Sequence, residues 1–169
     1  HASSASAVTP VSHASILTGQ YQYRHGLRVL HAGSGFRLPE DEPSAATVFQ
    51  AAGYRTGAVH SAFPVSGYFG FDPGFDHFDS FDGALEARGD GATGWDVSQL
   101  QRRANETTAR ALDFVRDGDG PWFLWIHYWD PHDGALIPPA EYMARSAHAG
   151  KAQLSVDELY EVEVEYLDE

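Results

Sequence analysis

At 169 residues, with 43% hydrophobic and 13% aromatic residues including four Trp, the chain suits one domain that hides roughly 70% of the surface its unfolded form exposes. That composition excludes a disordered or low-complexity protein. Eleven basic against twenty-four acidic residues give a formal charge of −13, which repels nucleic acid but leaves a small anionic substrate open, because a metal ion or a few aimed donors reverse the potential inside a cleft.

No cysteine is present, so disulfides, thiolate nucleophiles and Cys-ligated zinc are excluded. No run reaches the roughly 18 apolar residues of a membrane-spanning helix, so no membrane segment is expected in this piece. The start His1-Ala2-Ser3-Ser4 has neither the basic nor the apolar part of a signal peptide and no Met. The chain is therefore expected to begin inside a longer gene product, with any export signal or anchor outside it.

Residues 1 to 12 are small and polar, and Ile16 and Leu17 follow a Ser-His-Ala-Ser stretch that opens a short helix. From Gly19 to Pro43 the chain reads as irregular connection over one end of a sheet, with one apolar patch from Leu27 to Leu30. Ser44 after Pro43 is an N-cap, Ala45 to Ala52 form a helix, and Gly53 fits a left-handed C-terminal residue. Tyr54 to Val59 follow as a short strand. Gly and Phe dominate from Phe63 to Gly83, and Ala84 to Ala92 read as a loop.

A second helix is predicted from about Val97 to Arg116. Asp96 with Gln99 resembles a capping box, and Leu100, Ala104, Thr107, Ala111 and Val115 make one stripe. Gly118 and Gly120 end it. Pro121 to Trp129 is an almost uninterrupted apolar run, expected to be a central strand covered on both faces. A last helix starts near Ser155, where Ser155 and Glu158 repeat the capping-box pattern, and is expected to run to the chain end, which reads as truncated. Two helix-then-strand units with a doubly buried strand predict a layered α/β sheet in one domain.

The stretch Thr9-Pro10-Val11-Ser12-His13-Ala14-Ser15-Ile16-Leu17-Thr18-Gly19 places hydroxyls and an imidazole before a helix start, where free backbone N–H groups suit an anion. Ser and Thr there are also ordinary caps, so the residues alone leave both readings open. The stretch resembles the signature loop of the sulfatases of the alkaline phosphatase superfamily: a nucleophile, a variable residue, Pro, Ser, Arg or His, ending in Leu-Thr-Gly. Ser12, His13, Leu17, Thr18 and Gly19 match, the nucleophile position falls on Thr9, and Val11 departs from the usual Pro.

The likeness continues, in order and spacing, through Arg24-His25-Gly26, Gly53-Tyr54-Arg55-Thr56, Gly70-Phe71-Asp72-Pro73-Gly74-Phe75-Asp76 and Asp130-Pro131-His132, to Tyr160, Glu163-Val164 and Tyr166-Leu167-Asp168. It implies a partial catalytic domain over residues 1–169, an αβα sandwich of alkaline phosphatase type, incomplete at both ends. It also implies a metal-dependent hydrolase of sulfate or phosphate esters acting on a small anionic ester. Cys- or Ser-type members oxidise the nucleophile to formylglycine. Thr9 cannot give that aldehyde, so the resemblance implies a hydroxyl activated by a divalent metal (Zn, Mn or Ca).

Thr9 is then the one metal-contacting residue in this chain, since family members take their acidic ligands from a strand upstream and from an Asp with His or Asn far downstream. The same likeness makes His13 a residue ordering the loop and His132 a substrate-binding or leaving-group contact, against the plain reading of His132 as a surface turn histidine. His127, within the apolar run, reads as a satisfied core histidine. His60 and Ser61 fall where many arylsulfatases carry Gly-Lys, so that lysine is absent.

Asp72, Asp76, Asp79 and Asp82 lack EF-hand spacing and read as a structural turn. Asn105-Glu106-Thr107 fits a glycosylation sequon within a predicted helix. Val11 and the missing lysine point to an alternative, a non-catalytic sulfatase-like binding module. A phosphoethanolamine-type transferase uses a similar Thr and is not separable from a hydrolase at this level.

Overall fold

The computed structural model describes residues 3–28, 37–80, 100–132 and 136–168. Val29 and Leu30 of the expected apolar patch, the loop Ala84 to Ala92, Asp82, the Asp96–Gln99 capping box and the helix start from Val97 to Gln99 lie outside the described residues. The helices are α1 (Thr9–Thr18), α2 (Gln22–His25), α3 (Ala45–Ala51), α4 (Ala104–Arg116), α5 (Ala140–Met143) and α6 (Val156–Leu167). The strands are β1 (Arg55–His60), β2 (His77–Asp79) and β3 (Trp122–His127), all parallel, in the order β2-β1-β3. None of the described helices is long and apolar enough to cross a membrane.

The register sorts side chains onto two faces, because successive strand residues point to opposite sides. Arg55 pairs with Trp122 and His60 with His127, so Arg55, Gly57 and Val59 share a face with Trp122, Leu124 and Ile126. Phe114 of α4 lies against that face: the Arg55 guanidinium sits 4.1 Å from its ring centroid. A Cβ on Gly57 would come within 2.7 Å of the ring, so only glycine lets helix and strand approach this closely. On the other face, Phe49 of α3 stacks on Phe123 at 4.5 Å. Beside it lies a core of Ala14, Leu17, Leu27, Leu38, Phe63, Val65, Phe69, Phe71 and Leu100, with Phe78 and Trp125 packed against it. Helices on both faces of a parallel sheet make the layered α/β architecture that the sequence predicts.

Several expectations are corrected. The central strand is β1, whose residues Thr56 to His60 are all buried, and not β3. Among the described residues β3 pairs only with β1, leaving Trp122 45% and Ile126 37% exposed. An apolar run reports affinity for a pleated surface and not the number of neighbours it finds. No local pattern announces β2, a three-residue strand after the 3-10 turns Phe63–Val65 and Gly67–Phe69.

Helix α4 starts at Ala104 and not near Val97. Leu100 to Arg102 pair instead with the segment after β1: Phe63 N–H donates to Leu100 O (3.1 Å), Arg102 N–H to Ser61 O (2.8 Å), and Gln101 bridges Ala62. Tertiary backbone pairing overrides helix propensity there. Ala104, Thr107 and Ala111 are buried as the stripe requires, but Phe114 takes the place expected of Val115. Helices α3 and α6 have the predicted caps, Ser44 with Thr47 and Ser155 with Glu158.

Candidate functional site

Helix α1 begins at Thr9, earlier than expected, so Ser12 and His13 lie inside it and Thr9 is its first residue. Pro10 suits the first turn, where a missing N–H removes no helical bond. Gly19 closes the helix at φ 68° by donating to Ser15 O. One turn after Thr9, His13 Nδ1 lies 2.9 Å from Thr9 O, which fixes the imidazole beside the helix start. The Arg24-His25-Gly26 motif steadies the same helix from the other side: buried His25 meets Ser15 Oγ through Nε2 (3.1 Å) and accepts from Leu27 N–H through Nδ1 (3.2 Å).

The last residues of β1 and β3 are His60 and His127, side by side by register and facing α1. His13 packs edge-on against His127 with centroids 4.9 Å apart, and His60 lies 6.4 Å from His127 and 4.5 Å from Trp125. The contacts run on through Trp129, 5.7 Å from His127, to His132, whose ring centroid is 3.9 Å from that of Trp129. His132 is exposed, in the 3-10 turn Asp130–His132 that follows β3. His13, beside Thr9, packs against the end of β3, and His132 lies in the turn that follows β3, so both are at the C-terminal edge of the sheet, separated by the rings of His127 and Trp129.

Burial holds the inner histidines neutral. His127 is pushed down to about 3, first by desolvation and then by His13 and His132. His60 lies well below the ordinary range, chiefly through burial, with His127, Arg102 and His13 adding to it, and desolvation also lowers His13 against its bond to Thr9 O. His127 is buried as expected but it is not satisfied, because its Nδ1 has no hydrogen-bond partner. Both ring nitrogens of His60 also lack one. Sequence reasoning does not group these two histidines with His13. The only available signal is that each closes a β-forming run.

Other singled-out residues are structural. Asp76 Oδ2 accepts from Thr56 N–H (2.9 Å) and Oγ1 (3.1 Å), and its Oδ1 from Gln50 (2.8 Å). Asp79 pairs with Arg102 (3.0 Å) and Arg110 (2.9 Å). Ser61 is buried with its hydroxyl 2.6 Å from that of Thr107. Among the described residues no group of three or more His, Asp or Glu side chains is placed to hold a metal ion. That donor set does not by itself fit a divalent cation.

A family model described as Sulfatase matches residues 1–169. Comparison with curated proteins finds no match. Among solved structures, Ps i-CgsB in complex with k-i-k-neocarrahexaose aligns at TM-score 0.68 and 20% identity, covering 98% of this chain and 43% of that one. The phosphonate monoester hydrolase SpPMH from Silicibacter pomeroyi aligns at TM-score 0.52 and 23% identity, covering 81% and 34%. At these identities the likeness is one of fold, and the chain spans less than half the length of either structure.

Proposed function

Because this chain belongs to the sulfatase family, we propose that the protein is a hydrolase of sulfate or phosphate esters, with Thr9 as nucleophile, His13 ordering the start of α1 and His132 contacting substrate oxygens. The observation that carries this reading is the unbroken line of contacts from Thr9 O through His13, His127 and Trp129 to His132. It supports the reading by linking the helix start that carries Thr9 to the turn that carries the exposed His132; in this proposal an anionic ester takes donors from both. A divalent ion (Zn, Mn or Ca) as activator of Thr9 is part of the proposal, with its carboxylate ligands outside the described residues.

The test is turnover of 4-nitrophenyl sulfate, 4-nitrophenyl phosphate and bis(4-nitrophenyl) phosphate by the full-length protein and its Thr9→Ala variant. Loss of turnover in a variant that remains folded is expected, and retained turnover removes Thr9 from the mechanism. One observation favours a second reading, a non-catalytic binding module. Ser61, where many arylsulfatases carry a lysine, is turned into the α4 interface by its bond to Thr107. Substrate-analogue binding with no turnover of any of the three esters would select it.

A further inference from the structure

Helix α4 starts without a side-chain cap of its own, since Arg103 at its N-cap makes none. The missing acceptor comes from 26 residues away: Asp130 Oδ1 accepts from Ala104 N–H at 3.1 Å. Asp130 is fully buried, and its carboxylate faces the positive end of a 13-residue helix. Arg103, at the N-cap of the same helix, donates through its guanidinium to the carbonyls of Leu136 and Ile137.

We propose that Asp130 is a positioning residue for His132, its carboxylate clamping the turn Asp130–His132 onto the first turn of α4. The turn transmits the clamp because it is short and stiff. Pro131 fixes one backbone dihedral, and His132 N–H donates back to Trp129 O at 2.9 Å. His132 projects from its far end against Trp129. Asp130 cannot reach a substrate itself, being buried, and its other oxygen, Oδ2, has no hydrogen-bond partner. The bond to Ala104 N–H, with the field of the helix, is what ties the carboxylate directly to α4. Without it the turn stays attached through Trp129 and α6 but its position is no longer set.

The functional consequence rests on the reading of His132 as a substrate contact, whereas the placement itself does not. Both are measured in the full-length protein. The ring resonances of His132, identified by their loss in H132A, are expected to shift in Asp130→Ala and to stay near their native positions in Asp130→Asn, which keeps the acceptor oxygen. On whichever of the three nitrophenyl esters is turned over, D130A is expected to lower kcat/KM about ten- to a hundredfold, with D130N within about threefold of the native value. Ala104→Pro removes the donor instead, at a helix position that tolerates proline, and is expected to shift the same resonances even if D130A does not fold. Thr56→Val is the control, since it breaks the hydroxyl's bonds to Gly74 O (2.7 Å) and Asp76 Oδ2 (3.1 Å) at the other end of β1. Unmoved His132 resonances in D130A and A104P, or an equal shift in T56V, would overturn the proposal. Shifted resonances in a protein that turns over none of the esters would leave the clamp standing and remove the hydrolase reading alone.

Discussion

His13 and His127 meet edge to face, ring centroids 4.9 Å apart and planes at 80°, and this contact joins the start of α1 to the end of β3. Both rings are held neutral by burial, so they touch without the repulsion two imidazolium ions would suffer.

His13→Ala removes the imidazole contact to Thr9 O and uncovers one face of His127. The expected result is a stability loss of about 1–2 kcal/mol and, in the full-length protein, a fall in kcat/KM of at least about tenfold as the start of α1 loses its side-chain tie to the end of β3. Urea melts and steady-state kinetics on the nitrophenyl esters read the two effects. Native turnover in H13A would remove the ordering role.

Acid should destabilise the protein in a window set by the buried histidines. For His127 the unfolded imidazole binds a proton near 6.5 while the folded one resists it down to about 3. Between these values the unfolded state holds more protons, so stability is complete above about 6.5 and is lost progressively as pH falls toward about 3. At about 1.4 kcal/mol per unit, His127 accounts for on the order of 5 kcal/mol across the window. His60 is displaced in the same direction. Asp130, raised by burial, works in the opposite sense, which is why the comparison is made within a variant pair. Urea unfolding of native protein and His127→Gln at pH 7.5, 6, 5 and 4 should show a shallower loss in the variant, and parallel curves would exclude His127 as the cause.

Gly57→Ala is expected to cost about 1–3 kcal/mol, because the new Cβ comes within 2.7 Å of the Phe114 ring. Phe114→Leu should relieve much of that penalty when the two changes are combined, even though it weakens α4 packing alone. Thermal or urea melts of the two single variants and the double variant measure the coupling. Additive losses would show that the strand and helix adjust elsewhere.

Local signals were the legible part. The caps at Ser44 and Ser155 and the turn at Gly53 stand as read because each depends on residues within one turn of the chain. His132 follows β3 as the position of its motif after the apolar run implied. What escaped was set by partners distant in sequence. The start of α4 is decided by pairing of Gln101 with Ala62 and by a cap from Asp130, and the central place of β1 by neighbours on both sides. The histidines at the ends of β1 and β3 are joined only by sheet register.

The isolated 169-residue chain should neither bind a catalytic metal tightly nor turn over esters. Tight sites need several preorganised ligands, and among the described residues no group of three or more candidate side chains is placed to hold an ion. The inner imidazoles do not repair this: His60 and His127 face a packed floor of Trp125, Phe78 and Trp129, where carboxylates to balance a cation's charge are absent from those ring contacts. Isolated chain should also self-associate, because Trp122 and Ile126 are exposed on a strand paired on one side among the described residues. Calorimetric titration with zinc, manganese and calcium, light scattering and the three ester assays together test this. Micromolar binding coupled to turnover would show that these residues hold a complete site. Metal binding in the full-length protein alone, lost with chelator together with activity, is the result expected if the activating ion takes its carboxylates from elsewhere in the protein.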